Sequence, residues 1–459
     1  MRQLRPYQTQ ALDNVSAHWR RGARSVLLVS PTGSGKTTIG AEAIRRTTER
    51  GKKSLWLAHR RELIGQAFDR LTSEGIACGV IMADDKRAND SAPVQVCSVD
   101  TLTARGARPP ADLVIWDEAH HCAAATWRDL LGDYSNSWHL GLTATPERGD
   151  KSPLGDMFEE MVVGASVKQL VADGFLVESQ VLAPTIKTKT KTDSLGGMLA
   201  MSPVEAFERY AENQQTVVYC RFVEHAHQYA QQFIDAGIPA AAIDGSMHQV
   251  DRDRILSAFA KGEIKVVLNV YVLTEGWDVP ATSCCIIARN IGHAGMYLQM
   301  AGRVLRPAPN KKMATIVDLA GSTLEFGLPD DERTYSLRGK AISTREKLSV
   351  CKVCGLADPG RPCERCGYES VAMEIPPVAF LASNEGTLEV IGQRIMPSEI
   401  DRGLLAVITR HCLQRGHKHG WIYHAYRKQT DGHLLPWSEV QAMVRMQIRA
   451  LAQEQKSKA

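Results

Sequence analysis

Short apolar runs alternate with amphipathic stretches along the front of the chain. The run "SVLLV" at 25–29 leads into a polar, glycine-containing turn, and a helical pattern starts at Lys36. A second run, "LVIW" at 113–116, ends on two acidic residues. Uninterrupted apolar runs of this length, followed by helical patterns, are typical of strands in a parallel sheet that is buried on both faces. The pattern therefore predicts an α/β domain, which we place at residues 1–172.

The same alternation returns in the middle of the chain. The runs "TVVYC", "AAAI" and "VVLN" are each joined to a helical or polar segment. This order of strands and helices predicts a second parallel sheet, in a domain over residues 173–345. The segment 170–203 between the two patterns contains a Thr/Lys repeat and a Gly-Gly pair, and we expect the hinge there.

Composition adds limits to this picture. The chain has 459 residues, 44% of them apolar and 23% charged, which is typical of a globular protein with more than one domain. No apolar run approaches the roughly 18 residues of a membrane span, and the N-terminus lacks the apolar core of a secretory signal. We therefore expect a cytoplasmic protein with no membrane partner. The net charge of +4 is too small to identify a nucleic-acid partner by itself.

The turn after the first strand, "SPTGSGKTT", has the form of a phosphate-binding loop. Gly33 and Gly35 allow backbone amides to approach phosphate oxygens, Lys36 can neutralise their charge, and Thr37 can bind magnesium. Ser30 stands where the strict motif has glycine, but the glycines that face the phosphates are present. The residues expected to contact the nucleotide here are Thr32, Gly33, Ser34, Gly35, Lys36, Thr37 and Thr38.

Two adjacent carboxylates follow the second apolar run. Asp117 and Glu118 come at the carboxyl end of the predicted strand, where ligands bind in sheets of this kind. Asp117 can hold magnesium, and Glu118 can orient and deprotonate the water that attacks a γ-phosphate. ATP and Mg²⁺ are therefore the predicted ligands of the first domain.

The run Asp117-Glu118-Ala119-His120 is a DEAH box, and with the phosphate-binding loop the chain resembles the superfamily 2 DEAD/DEAH-box helicases and translocases, among them phage-encoded DNA helicases. The resemblance implies two RecA-like P-loop domains in tandem and a catalytic role for His120. "RPYQ" resembles the element that recognises adenine in this family. Gln8 would read the base edge, while Arg5 and Tyr7 would offer flat surfaces to the ring.

Other segments resemble the family's contacts to nucleic acid. They imply that Arg60 in "LAHRREL", Thr101 in "SVDTL" and Thr274 in "LTEGWDVP" touch the nucleic-acid strand. "LTATPER" resembles the motif that couples nucleotide to nucleic acid through Thr143 and Thr145.

The second domain is expected to complete the ATP site. The resemblance implies that Gly276 and Asp278 face the nucleotide. In "YLQMAGRVLRP", Gln299, Arg303 and Arg306 have spacings of four and three residues, which predicts that they lie near one face of a helix. Gln299 is expected to bond to His120, and the two arginines to reach the γ-phosphate when the domains close.

Behind these domains the sequence changes character. Four of the eleven cysteines, Cys351, Cys354, Cys363 and Cys366, form a C-x₂-C-x₈-C-x₂-C pattern with glycine after each pair. This spacing predicts a structural zinc ribbon at 346–375, with a redox pair as the weaker interpretation.

The remaining residues, 376–459, are predicted to form a mainly helical C-terminal region. Basic and aromatic residues are interleaved there, including Lys418, Trp421 and Arg427, which could contact nucleic acid or a protein partner.

The leading hypothesis is an ATP-driven DNA helicase or translocase, with DNA preferred over RNA. A DNA-binding clamp or loader that recruits a replication or defence complex without strand displacement is the main alternative. A small-molecule P-loop kinase would leave the arginine motif unexplained.

Overall fold

The computed structural model describes residues 3–121, 125–147, 153–184, 199–274, 276–338, 342–343, 348–351, 354–358 and 362–368, and two short strands farther on. The chain divides into two compact units, residues 1–370 and 371–459. The described part of the second unit is one antiparallel pairing, of Leu381–Ala382 with Leu388–Glu389. The predicted contacts at Lys418, Trp421 and Arg427 lie outside the described residues.

The first sheet has seven parallel strands, and its helices pack on both faces. The strands are β1 Ser25–Val29, β2 Ser54–Ala58, β3 Cys78–Ile81, β4 Val94–Ser98, β5 Leu113–Asp117, β6 Trp138–Thr143 and β7 Glu160–Val163, in the order β3-β4-β2-β5-β6-β1-β7. The helices are α1 Pro6–Arg20, α2 Lys36–Thr48, α3 Arg61–Ser73, α4 Val99–Ala104, α5 Ala125–Asp133 and α6 Val167–Ala172. Its central strands are buried along their whole length, as their uninterrupted apolar sequences predict.

A buried hydrogen-bonded histidine lies in the core of this sheet. His139 on β6 accepts a hydrogen bond at Nδ1 from Trp116 Nε1 (3.0 Å), and its Nε2 lies 3.0 Å from the Tyr134 carbonyl oxygen. Burial lowers the pKa of His139 to about 4, so the imidazole is neutral in the fold.

The second sheet has six parallel strands. They are β8 Glu178–Leu182, β9 Thr216–Cys220, β10 Ala240–Ile243, β11 Val266–Asn269, β12 Cys284–Ala288 and β13 Met313–Asp318, in the order β10-β11-β9-β12-β13-β8. The helices are α7 Pro203–Tyr210, α8 Val223–Asp235, α9 Gln249–Ala260, α10 Ala294–Gly302 and α11 Ser322–Phe326, and a short hairpin of β14 Arg333–Thr334 with β15 Ile342–Ser343 follows. Two parallel-sheet domains in tandem confirm the predicted fold class.

The edge strand β8 comes from the segment in which the hinge was expected. Val181 and Leu182 are buried, so this part of the segment belongs to the second sheet. At its carboxyl end, the outer edge of this strand pairs with residues of the cysteine-rich segment. Leu356 forms an antiparallel bridge with Leu182, the Ala183 amide donates to the Gly355 carbonyl (2.9 Å), and the Ala357 amide donates to the Val181 carbonyl (2.8 Å).

Within the described residues, every helix is too short or too polar to cross a lipid bilayer.

Candidate functional site

A cavity of about 410 Å³ lies between the two sheets and receives side chains from both. From the first domain it is lined by the phosphate-binding loop, the N-terminal segment and the two carboxylates after β5. From the second it receives the segment after β11 and the turn after α10. The predicted residues that line it are Arg5, Gln8, Thr32, Gly33, Gly35, Lys36, Thr37, Thr38, Asp117, Glu118, Gly276, Asp278, Arg303 and Arg306.

The phosphate-binding loop has the backbone conformation that its glycines predict. Gly33 and Gly35 have φ values of 85° and 84°, in the left-handed region, and Gly35 is the N-cap of α2. Lys36 Nζ donates to the Ser30 carbonyl at 3.2 Å. Burial lowers the pKa of Lys36, while the nearby Glu118 and Asp117 oppose that shift. Ser34 is buried behind the loop, where its hydroxyl lies 2.8 Å from that of Ser30, and it does not line the cavity.

Gln8 fixes the loop from the side of the N-terminal helix. Its Nε2 donates to the Ser34 carbonyl (2.9 Å), and its Oε1 accepts from the Arg5 amide (3.0 Å). A Cβ at Gly35 would lie 2.5 Å from this Nε2, so a larger residue there would displace the Gln8 amide from the loop. Gln8 therefore connects the N-terminal segment directly to the loop.

The aromatic surface in the cavity differs from the sequence prediction. Tyr7 is buried and donates its hydroxyl to the Ser34 carbonyl (2.6 Å), so it does not line the cavity. Phe175 lines it instead, with the Arg5 guanidinium 4.1 Å from its ring centroid. Sequence reasoning missed Phe175 because it belongs to the segment read as a hinge, with no local motif around it.

The two carboxylates are held at the end of β5. Asp117 accepts hydrogen bonds from Trp56 Nε1 (3.3 Å) and from the Glu118 amide (3.1 Å). Burial, together with the neighbouring Glu118 carboxylate, raises the pKa of Asp117 above its usual range. A cation between these groups would relieve that cost. The Asp117 carboxylate and the Thr37 hydroxyl, which line the same cavity, are the hard oxygen donors that magnesium prefers.

Glu118 has an unusual backbone conformation, with φ of +49°. Its Oε2 is buried without a hydrogen-bond partner among the described residues, and His120 Nδ1 lies 3.5 Å away. Such strain persists where the surrounding structure enforces it, often at functional sites. An unpaired buried carboxylate oxygen that faces a cavity can accept a hydrogen bond from water, and later its proton.

His120 connects the two domains directly behind the carboxylates. Its Nδ1 lies 3.1 Å from Thr143 Oγ1, and its Nε2 lies 3.2 Å from Gln299 Nε2 on α10. Thr143 Oγ1 in turn donates to the Thr145 carbonyl (2.6 Å). The structure therefore brings Gln299 to His120, as expected, and connects that pair to Thr143 and Thr145 of the predicted coupling motif, although none of the four lines the cavity.

The two arginines reach the cavity from a turn. The prediction that both lie on a helix is wrong, because α10 ends at Gly302 and the next amides bond three residues back. Pro307 disfavours helical conformation at Arg306, so Arg306 could not have continued the helix. Arg303 donates to the carbonyls of Thr274 (2.8 and 3.0 Å) and Trp277 (3.0 Å).

Arg306 is less constrained than Arg303. It pairs with Asp278 and also donates to the Trp277 carbonyl at 3.3 Å. Burial and the neighbouring Arg303 lower its pKa to about 10, so it keeps its charge at neutral pH. A cationic guanidinium at this place can stabilise negative charge that develops on a bound phosphate.

The segment after β11 occupies a tight space between the domains. Gly276 has φ of +76°, its carbonyl accepts from Gln66 Nε2 (2.8 Å), and a Cβ there would lie 2.8 Å from Glu62 Cβ. Thr274 is buried and donates its hydroxyl to the Tyr271 carbonyl (2.7 Å). Its hydroxyl is therefore engaged inside the second domain in this conformation.

The other predicted nucleic-acid contacts lie at the carboxyl ends of strands in the first sheet. Arg60 follows β2 and donates to the Tyr271 carbonyl across the domain boundary at 3.4 Å. Thr101 follows β4, and its hydroxyl accepts from the Ala83 amide (3.3 Å).

The four predicted zinc ligands converge at one point. The sulfur atoms of Cys351, Cys354, Cys363 and Cys366 all lie within 4.8 Å of one another, with 3.6 Å between Cys351 and Cys366 and 3.7 Å between Cys354 and Cys363. Four thiolates about 2.3 Å from a tetrahedral zinc ion have similar mutual spacings.

Comparison with known proteins agrees with this geometry. Residues 1–148 match the family described as "Type III restriction enzyme, res subunit", and residues 200–308 match "Helicase conserved C-terminal domain". A "51.5 kDa protein" of a Lactococcus phage is 29% identical over 366 residues, which span 75% of this chain and 78% of the relative. The "DNA 3'-5' helicase XPB" of Kineococcus radiotolerans is 28% identical over 340 residues, 66% of this chain and 57% of that protein.

Among solved structures, the "ATP-dependent Type ISP restriction-modification enzyme LlaBIII bound to DNA" superposes with a TM-score of 0.52 and 16% identity. The superposition covers 69% of this chain and 27% of that protein, and it shows a shared fold.

Proposed function

Because the chain belongs to the superfamily 2 helicases, we propose that it is a DNA-stimulated ATPase that uses ATP hydrolysis to move along, unwind or remodel DNA. One observation carries the proposal. Lys36 and Glu118 from the first domain and Arg303 and Arg306 from the second line one cavity. Hydrolysis in such a site depends on the distance between the domains, so ATP turnover can be coupled to their movement.

The residues of the first domain bind the nucleotide. The amides of the loop at 32–38 and the Lys36 ammonium would hold the phosphates, and Gln8 would contact the base together with Phe175, which comes from the start of the second domain. Thr37 and Asp117 would hold magnesium, which supplies charge neutralisation at the phosphates. Glu118 would take the proton of the attacking water, because its Oε2 is buried next to these groups and has no hydrogen bond among the described residues.

The residues of the second domain sense and complete the site. Arg306 would contact the γ-phosphate, releasing Asp278, and Arg303 holds the carbonyls of Thr274 and Trp277 in place. In other phosphate hydrolases, an arginine finger raises the hydrolysis rate by about 10³- to 10⁵-fold. The His120–Gln299 contact also joins the two domains, so it links the distance between them to the carboxylates Asp117 and Glu118.

The choice of DNA is supported by the relatives. The name of the Kineococcus protein describes a DNA helicase, and the family that matches residues 1–148 is described as a subunit of a restriction enzyme. Because this chain spans little more than half of that helicase, we propose a shared motor and not the whole activity.

Zinc is proposed as a structural ligand of the four cysteines. Their spacing leaves no open coordination position, so the metal would hold the loop that covers β8 and would take no part in hydrolysis.

The proposal is tested by measuring ATPase rates with single-stranded DNA, duplex DNA, a fork and RNA, together with strand displacement on the fork. We expect DNA to stimulate turnover more than RNA and the fork to be unwound. Stimulation without displacement would instead favour the clamp or loader, and equal rates with and without nucleic acid would refute the proposal.

A further inference from the structure

The carboxyl edge of the second sheet carries exposed aromatic residues that the ATP site does not use. Tyr271 and Phe222 are both 44% exposed, although aromatic side chains of this size are usually buried. Tyr271 comes two residues after β11, and Phe222 comes two residues after β9. These strands are neighbours in the sheet, so both residues leave it at the same edge.

Tyr271 is held in a strained conformation. Its φ is +61°, which is rare for a bulky residue that is not glycine. Its carbonyl accepts hydrogen bonds from Thr274 Oγ1 in the same domain and from Arg60 Nη1 of the first domain. The backbone is therefore fixed from both domains, and the ring is left exposed at the surface of the second domain.

An arginine lies against each ring. The Arg289 guanidinium carbon is 3.9 Å from the Tyr271 ring centroid, and Arg289 Nη2 donates to the Tyr271 hydroxyl. The guanidinium carbon of Arg221 is 4.8 Å from the Phe222 ring centroid. The register pairs Ala288 with Cys220, so Arg289 and Arg221 follow side by side at this edge.

Arg289 places a positive charge directly behind the Tyr271 ring. It is 7% exposed, and its Nη1 is buried without a hydrogen-bond partner among the described residues. This nitrogen is buried, so it does not itself face the surface. The positive charge of the guanidinium behind the Tyr271 ring nevertheless attracts an anionic strand that passes over that ring.

We propose that Tyr271 and Phe222, each backed by an arginine, form a surface on which bases of a single nucleic-acid strand stack. This inference rests on the proposed function and deepens it, because it assigns base contacts where Arg60, Thr101 and Thr274 were expected to contact the strand. Stacking on an aromatic ring accepts any base, and the arginines add charge attraction. The surface would therefore favour single strands over duplex without reading a sequence.

The test compares two strands of equal charge. The full chain is titrated into a fluorescently labelled thymidine oligomer of about 20 nucleotides and into an abasic oligomer of the same length. We expect the Kd for the abasic oligomer to be higher, by between about fivefold and a hundredfold for each base that stacks. Tyr271→Leu and Phe222→Leu should each reduce this ratio, mainly by weakening binding of the thymidine oligomer.

The control is Tyr368→Leu, which removes another exposed aromatic ring far along the chain from these strands and should leave the ratio unchanged. Thermal melting shows whether each variant folds, and the wild-type ratio tests the proposal without any variant. If the wild-type chain binds both oligomers with equal affinity while DNA still stimulates its ATPase, the stacking proposal is wrong and the proposed function stands. If the variants weaken binding of both oligomers equally, the two residues contact the backbone of the strand, and the stacking proposal is also wrong. Failure to bind either oligomer, without stimulation, would overturn the proposed function as well.

Discussion

Gly302 offers a sharp test of how closely the two domains must approach. It is the last residue of α10, in the second domain, and it faces the phosphate-binding loop of the first. A Cβ added there would lie 2.6 Å from Thr32 Cβ and 3.2 Å from Thr32 Oγ1. Thr32 Cβ is bonded to the backbone, so a side-chain rotation cannot relieve the clash.

The structure gives the size of the effect of Gly302→Ala. Ordinary contact between such atoms begins near 3.4 Å, so the domains must separate locally by close to 1 Å. A misplacement of about 1 Å can lower the rate of a well-positioned reaction about 10²-fold. Helix propensity acts in the opposite direction, because alanine is favoured over glycine by about 1 kcal/mol in a helix interior.

The assay therefore separates packing from propensity. We expect Gly302→Ala to lower the DNA-stimulated ATPase rate by about 10²-fold without lowering the melting temperature of the second domain. Gly65→Ala on α3 is the matched control, because a Cβ there meets nothing within 4 Å. A Gly302→Ala chain with normal turnover would refute the inference that hydrolysis needs this domain distance.

Four further predictions follow from individual groups. Glu118→Gln should keep ATP binding and abolish turnover, measured by nucleotide binding and phosphate release; normal turnover would remove Glu118 as the base. Arg306→Ala should lower the ATPase rate about 10³-fold or more while DNA binding in a filter assay is spared; equal loss of both would contradict its proposed role. The purified chain should contain one equivalent of zinc by elemental analysis and Cys363→Ser should lose it, whereas metal-free reduced wild-type protein would refute the site. Because the pKa of His139 is about 4 in the fold and near 6.5 in the unfolded chain, unfolded chains bind the extra proton first as pH falls. The free energy of unfolding should thus decrease by up to about 3 kcal/mol from pH 7 to 4. It is measured by denaturant titration at each pH, and an equal decrease in a His139→Gln chain would contradict this.

Much of the ATP site could be predicted from the sequence because its signals are local. The start of α2 at Lys36 and the end of β5 at Asp117 depend on a few adjacent residues, and both are where the sequence places them. Two parallel sheets could likewise be read from fully apolar runs, since strands buried on both faces have no polar alternation.

The rest depends on contacts between distant residues. Phe175 became a cavity residue only because the segment after α6 folds back against Arg5. Helix α10 ends at Gly302, and Arg303 is held in the following turn by carbonyls after β11. The helical spacing of Gln299, Arg303 and Arg306 in the sequence therefore did not predict their conformation. The exposure of Tyr271 could not be read from an apolar stretch that otherwise resembles a strand.

The pairing of the cysteine-rich segment with β8 has a consequence for the behaviour of the protein in a cell. The last strand of a sheet presents free amides and carbonyls, which can recruit a strand from another molecule. Here Gly355, Leu356 and Ala357 pair with the carboxyl end of that edge, and the zinc that we propose on the four cysteines would hold the loop in place. If zinc binds there as proposed, its loss or oxidation of the thiols would uncover this end of β8 and leave the residues of the ATP cavity chemically intact. Under such conditions the protein would be lost first through self-association of its second domain, before its catalytic groups failed.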